Sequence, residues 1–478
     1  MVNSKKVSVR KLGALSRLSI NKKFRRSKKS TKKLRKRRTG GWKSQGWILK
    51  TLEQAINSDN VNAFNREIKY VKSDDVNVVY NQNQERTALI WAAAKNNTKG
   101  VKALLQINGI NVNAVDNAEK TALIWAADNN NTEMVKALLQ IKGVDVNMKD
   151  KFGKNALMLA VIKNNLEMVQ ALLDKGVDVN VVYNLGDTAL MLAVDNNNLE
   201  MVKVLLGKEN IDVDRINAQK ENKTALMFEV DLLNFYTKWK EEIVDHKKKN
   251  SELIWWGEKI NLETALPDVE EKINLNINIV QALLDKRVDV NKVDYKKRTA
   301  LMKVARGYKG ELDIVQALLD KGADVNMVDD DKRTALMLAA YEGNLNMVKT
   351  LLDKGADVNM VDDDKKTALM LVVGYKRKLD IVKALLGKGA DVNKVDDEGK
   401  TALMEAANYE NLEGVKALLQ INGINVNAVD NAEKKAIDYA KTDEIKELLR
   451  NPPPVDVIPP PPPSSTSPPV PPPSPEVL

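Results

Sequence analysis

A Thr-Ala-Leu triplet returns along this chain at Thr87, Thr121, Thr188, Thr224, Thr264, Thr299, Thr334, Thr367 and Thr401, with variants opening at Asn155 and Lys435. The intervals run 34, 34, 33, 36, 40, 35, 35, 33, 34 and 34 residues. A fixed period of this length means stacked supersecondary units, and 478 residues are in any case too many for one compact core.

Each unit repeats one internal order. In residues 121–154, Thr121 can cap a helix, and Ala122, Leu123, Ile124, Ala126 and Ala127 give a short first helix with small residues on one side. Asn129, Asn130 and Asn131 break it, because asparagine tolerates left-handed turns. Met134, Val135, Leu138 and Leu139 then define a second amphipathic helix, Gly143 suits its C-cap, and Val144-Asp145-Val146-Asn147 runs extended to the next head. Helices this short are unstable alone in water and must be buried against neighbouring units.

This order resembles the ankyrin repeat, whose units carry a T-P-L-H-x-A head and a G-A-D-V-N tail. The tail recurs at Gly322–Asn326, Gly355–Asn359 and Gly389–Asn393. The head departs from the family: Ala replaces Pro, and mostly Met or Ile replaces His. The family's Thr–His hydrogen bond is therefore absent, and apolar packing is expected in its place. A tetratricopeptide reading also allows a 34-residue period but lacks an extended D-V-N segment. The resemblance implies an all-α ankyrin-repeat solenoid of about twelve helix-turn-helix units with β-turn fingers, flanked by disordered tails.

The expected organisation is a basic disordered arm (1–46), a degenerate N-terminal capping repeat (47–86), ankyrin repeats (87–434), a C-terminal capping repeat (435–450) and a proline-rich disordered tail (451–478). The unit opened by Thr224 takes 40 residues, 224–263, and holds the only histidine, His246. Thr264 lies 35 residues before Thr299, with Leu283-Leu284 where a second helix belongs. Two units are therefore expected between Thr224 and Thr299, with Pro267 in the first turn of a helix, where proline costs little.

Charge separates the arm from the body. Residues 1–50 hold 19 Lys and Arg and no Asp or Glu, whereas the remainder carries 56 basic and 65 acidic side chains. The densest run, Lys32, Lys33, Arg35, Lys36, Arg37 and Arg38, reads as a nuclear signal met by an importin, as nucleic-acid contact, as part of a transit peptide, or as a solvated arm. The proline runs Pro452–Pro454, Pro459–Pro463 and Pro471–Pro473 favour polyproline II, either as a spacer or as a ligand of a polyproline-binding domain. No apolar run approaches a membrane span, and no charged-then-apolar leader opens the chain, so secretion is not expected and a place in the cytoplasm or nucleus, of its own or a host cell, is. A monomer is expected.

An enzyme is not expected. With no cysteine and one histidine, the chain has no thiolate site, no triad and no metal cluster, and no phosphate-loop or dinucleotide fingerprint appears. His246, beside three lysines, is expected to be exposed, and no cofactor is expected. Leu266-Pro267-Asp268-Val269 faintly resembles the start of an F-box, but it lies inside the repeat register. Met158, Met191, Met302, Met337, Met370 and Met404 recur at the fourth head position as a core stripe.

The ankyrin resemblance implies a scaffold or adaptor that holds another protein on a concave face built from the fingers and the exposed side of the first helices. The finger residues that vary most between units are Asn117, Lys151, Asn184, Tyr295, Asp330, Asp363 and Asp397. The C-terminal fingers are acidic at Asp329–Asp331, Asp362–Asp364 and Asp396–Asp397, and the residues before the heads are basic at Arg298, Arg333, Lys366 and Lys400. These charges form either an acidic docking strip or a ladder of ion pairs between fingers. The Lys- and Asn-rich units are similar to ankyrin proteins of intracellular bacteria or large DNA viruses, which implies host proteins as partners. The alternative is a nucleic-acid-associated or nuclear recruiter anchored by its arm.

Overall fold

In the computed structural model the described residues are 45–81, 85–249, 251–255, 258–307 and 312–453. They form eleven helix pairs, beginning with Gln45–Asn57 and Val61–Glu67 and ending with Ala436–Tyr439 and Asp443–Arg450. First helices stack on first helices from Ala88–Ala94 to the end, second helices lie on second helices, and one buried cluster runs from Ile48 to Leu449. The array is continuous through the long unit, because the first helix opened by Thr224 contacts those before and after it.

Most helices between the ends are only six to nine residues long, so packing and caps hold them in place. Each head threonine caps its first helix; Thr334 Oγ1, for example, accepts from Met337 N–H at 3.3 Å. The methionines that follow the heads are buried, from Met158 (1% exposed) to Met370 (6%), as a core stripe requires. Gly322, Gly355 and Gly389 end second helices at φ near +88°, +88° and +82°, where a side chain would be strained.

The three asparagines between helices have separate tasks. Only Asn130 is left-handed (φ 57°). Asn129 Nδ2 donates to Ala93 O in the preceding unit at 2.9 Å. Asn131 caps the second helix by accepting from Met134 N–H at 2.9 Å, and its Nδ2 reaches back to Thr98 Oγ1 at 2.9 Å. Asn165 repeats this, accepting from Met168 N–H and donating to Asn130 Oδ1 (2.7 Å) and Thr132 Oγ1 (2.9 Å). The tail asparagines make a second set of bridges: Asn359 donates to Gly389 O (3.2 Å) and accepts from Asp391 N–H (2.8 Å).

The structure corrects the reading of the middle. Residues 224–298 are one unit with two long helices, Ala225–Lys248 and Leu262–Leu284, joined through a short antiparallel pair, Ile254–Trp255 with Glu258–Lys259. Thr264 opens nothing: the second helix is capped by Asn261, which accepts from Glu263 N–H at 3.0 Å, and Thr264 Oγ1 donates back to Asn261 O. Pro267 is therefore the sixth residue of that helix, not part of a first turn, and leaves the carbonyl of Glu263 without its helical donor. His246 is half-buried, with Nδ1 3.0 Å from Ser251 Oγ. The F-box-like Leu266–Val269 lies within the long second helix.

Lengthening both helices has a polar consequence. Asn276 stands where Asn344 and Asn165 cap their second helices, but here the helix continues through it. Its Nδ2 donates to Glu229, which occupies a position held by Ala339 in another unit, and lies 3.4 Å from Asn197 Oδ1. Both side chains are fully buried, and Asn276 Oδ1 and Glu229 Oε2 have no hydrogen-bond partner among the described residues. Burial pushes the Glu229 carboxyl up to about 8, against the weaker lowering effect of the bond from Asn276. The neutral acid that burial favours carries a donor, and Asn276 Oδ1 is an unpartnered acceptor on the same buried pair.

Two predictions follow from these contacts. Asn165→Ala, which removes a cap and two bridges between units, should cost about 1–3 kcal/mol in urea unfolding, and Asn165→Asp, which keeps the cap acceptor, should cost less. The folded state holds the Glu229 proton more tightly than the unfolded chain does. Its contribution should therefore be fully present in acid and decline as pH rises from about 4.5 to about 8. Glu229→Gln should remove that decline and stabilise the protein near pH 7 by on the order of 3 kcal/mol; parallel stability–pH curves for the two proteins would contradict this assignment.

Candidate functional site

The fingers are built by a buried aspartate. Asp329 Oδ1 accepts from Asp331 N–H (3.1 Å) and Arg333 N–H (2.8 Å), and Lys332 takes the left-handed conformation (φ 57°). Asp362 and Asp396 are buried at the same point of the next two fingers. One acid in each acidic run is thus consumed by the turn.

The variable finger residues form a row joined through the backbone. Lys151 N–H donates to Ala118 O, Asn184 to Phe152 O, Tyr295 to Glu221 O, Asp330 to Lys296 O, Asp363 to Asp331 O and Asp397 to Asp364 O, all at 2.9–3.0 Å. Asn117, beside Ala118, holds the corresponding place one finger earlier. The bond from Tyr295 spans the whole long unit, so the row is not interrupted there.

The acidic runs do not form a free strip. Asp330 pairs with Lys297 (3.3 Å), Asp363 with Lys332 (3.0 Å) and Asp397 with Lys365 (2.9 Å), each lysine being the left-handed residue of the preceding finger. Arg298 and Arg333 fold onto Asp294 and Asp329 of their own fingers at 2.9 and 3.0 Å. The ion-pair ladder is the arrangement found, and its exposed members contribute little stability apiece.

A second feature escaped the sequence reading. Tyr341, Tyr375 and Tyr409 lie at the ends of three successive first helices and are 54%, 49% and 60% exposed. Tyr375 and Tyr409 stack with centroids 6.4 Å apart, and Lys378 Nζ sits 4.4 Å from the Tyr375 ring and 5.0 Å from the Tyr341 ring. Partial burial lowers the Lys378 pKa. Gly374 makes room for this row, since a Cβ there would meet Tyr409 Cδ2 at 2.6 Å. The signal was present: the three tyrosines recur every 34 residues, seven or eight residues after a head.

Finger tips and helix ends open on one face. A cleft beside the long unit is lined by Tyr295 and Lys296 from a finger together with Asn234 and Arg306 from first helices. Arg306 follows its head by the same seven residues as Tyr341. Among the described residues no three His, Cys, Asp or Glu side chains converge as a metal site, and no helix is long and apolar enough to cross a membrane. Lys32, Lys33, Arg35, Lys36, Arg37 and Arg38, and the proline runs from Pro454 onward, lie outside the described residues.

A family model described as ankyrin repeats in three copies matches residues 52–150, 139–217, 271–362 and 357–430. The stretch it leaves out, 218–270, contains the long first helix and the strand pair. No curated protein matches the chain. Ankyrin repeats are generally modules of protein–protein interaction and typically carry no catalysis. With the repeat register, the stacked helix pairs and a family match over more than half its length, the chain belongs to the ankyrin-repeat family.

Proposed function

We propose that this chain is a non-catalytic scaffold or adaptor that holds a partner protein, acting inside a cell, on the concave face shared by the fingers and the first-helix ends. The observation that carries the proposal is the tyrosine row. Exposed aromatic side chains on a rigid support are the side chains most often responsible for binding energy, because they cover much apolar area at low entropic cost. Three of them stand about half exposed on consecutive units, Tyr341 and Tyr375 sharing Lys378 and Tyr409 stacked on Tyr375. The variable finger residues, including Lys151, Asn184 and Tyr295, flank the same face and supply its selectivity. Host proteins as partners, and a monomeric state, belong to this proposal.

A second reading rests on the 19 basic and no acidic residues among residues 1–50. In it the arm anchors the protein on nucleic acid, or is carried to the nucleus by an importin, while the repeats recruit others. Removing residues 1–46 then abolishes salt-dependent DNA binding and leaves partner capture intact.

The test of the first reading compares the wild-type chain with the triple variant Tyr341→Ala, Tyr375→Ala, Tyr409→Ala in quantitative affinity capture. Thermal unfolding of the variant should match wild type. The proteins enriched by wild type should lose at least about tenfold in affinity, as expected when aromatic anchors are truncated. Equal enrichment by both chains would remove the tyrosine row from the binding surface.

A further inference from the structure

The cleft beside the long unit has a volume of about 480 Å³ and is lined by five cations, Lys223, Lys296, Arg298, Lys303 and Arg306, against two carboxylates, Glu221 and Asp231. Its floor is a chain of buried or half-buried charges. Lys303 stands where Leu159, Leu192, Leu338 and Leu371 stand in other units, and it is 4% exposed. It pairs with Asp231 at 3.2 Å and with the fully covered Asp294 carboxylate at 3.0 Å. Arg298 closes on Asp294 from the other side at 2.9 Å, and Lys223 holds Asp231 (2.8 Å) and Glu221 (2.9 Å). Burial opposes the Asp294 charge, but the bonds from Arg298 and Lys303 outweigh it and hold its pKa below the usual range.

Every acid of the floor is therefore satisfied within the floor. Lys296 and Arg306 are not: both are exposed, and neither has an ion-pair partner among the described residues. Lys296 instead lies 5.4 Å from the exposed Tyr295 ring. Fingers further along present acids at these two positions, Asp330-Asp331, Asp363-Asp364 and Asp397-Glu398. The pair Tyr295-Lys296 thus marks a local excess of positive charge beside a run of self-neutralised fingers.

From this we infer that the cleft is an anion site for an acidic segment of a protein partner, with a carboxylate held between Arg306 and Lys296 and its chain laid against the Tyr295 ring. Guanidinium and ammonium groups beside a neutralised floor bind a carboxylate without first having to release an acidic partner. A nucleic acid fits less well. It presents a continuous row of phosphates, and the neighbouring fingers meet it with Asp330, Asp363 and Asp397. This inference rests on the concave-face reading above and gives that face a partner chemistry.

The probe is a peptide of four glutamates flanked by Gly-Ser, carrying a fluorophore and a benzophenone, titrated with the full chain. Photolabelling should fall on the segment from Tyr295 to Arg306. The double variant Lys296→Ala, Arg306→Ala should lose that labelling and bind about tenfold more weakly at low salt, with unchanged thermal unfolding. The pair Lys296→Arg, Arg306→Lys should keep it. Labelling confined to residues 1–46, or labelling of the cleft that survives in the alanine variant, overturns the inference. So does a single-stranded oligonucleotide of equal charge that displaces the peptide from the cleft at lower concentration. If the tyrosine variants lose their partners while the cleft takes up no peptide, this inference falls and the scaffold reading stands.

Discussion

Helices of six to nine residues cannot persist in water, and in this chain each is held by its neighbours. Two kinds of contact do this. Aliphatic, methionine and alanine side chains form one continuous buried cluster, and asparagines carry hydrogen bonds from unit to unit. The second kind sets the register. An amide side chain offers a donor and an acceptor at once, so Asn131 or Asn165 can cap its own helix and still grip the preceding loop. Unlike a hydroxyl, the amide presents its donor and its acceptor on separate atoms, so each can reach a different unit. The abundance of asparagine at these positions follows from that geometry.

Because packing and bridging take up most positions of a unit, recognition is left to the few side chains that neither requires. The fingers show how strict this is. Their buried aspartates make the turn, and their outer aspartates are neutralised by the lysine of the finger before. Net charge along the fingers is therefore a poor guide to binding. What stands free of these duties is the tyrosine row at the first-helix ends and the pair Lys296 and Arg306 beside a floor already balanced. Basic residues elsewhere lie over aromatic rings, as Arg86 and Lys120 do on Trp125, and those rings are partly covered as a result.

The sequence made the stacked architecture legible because register is redundant: nine further openings confirm what one Thr-Ala-Leu suggests. The same redundancy misled at Thr264. A triplet that normally follows a finger also fits inside a helix, and helical periodicity carries no mark of where one unit ends. Only the contacts show that Asn261 caps and Thr264 does not. At the site, fingers were found because variation between units exposed them. Tyr341, Tyr375 and Tyr409 were passed over because they end first helices rather than sit in fingers, and spacing alone does not reveal their exposure. The pairing of Asp330, Asp363 and Asp397 was open to two readings because sequence spacing does not tell which neighbouring finger a lysine faces.

The long unit shows how such an array absorbs an insertion. Both helices grow at their connected ends, while the ends that face the fingers keep the ordinary register. Asp289 N–H still finds Asp214 in the preceding tail, and Tyr295 N–H still finds Glu221. Neighbouring units therefore meet familiar surfaces, and the extra length projects as a helical hairpin with its own core of Ile243, Val269 and Ile273. The cost falls on the residue that used to be a cap. Asn276 keeps its donor role but loses the helix amide that its oxygen would accept, because that amide now bonds within the continuing helix. Glu229 answers from the facing helix by accepting from Asn276 Nδ2, and burial favours its neutral form. Its raised pKa has burial as the leading cause, opposed by the bond from Asn276.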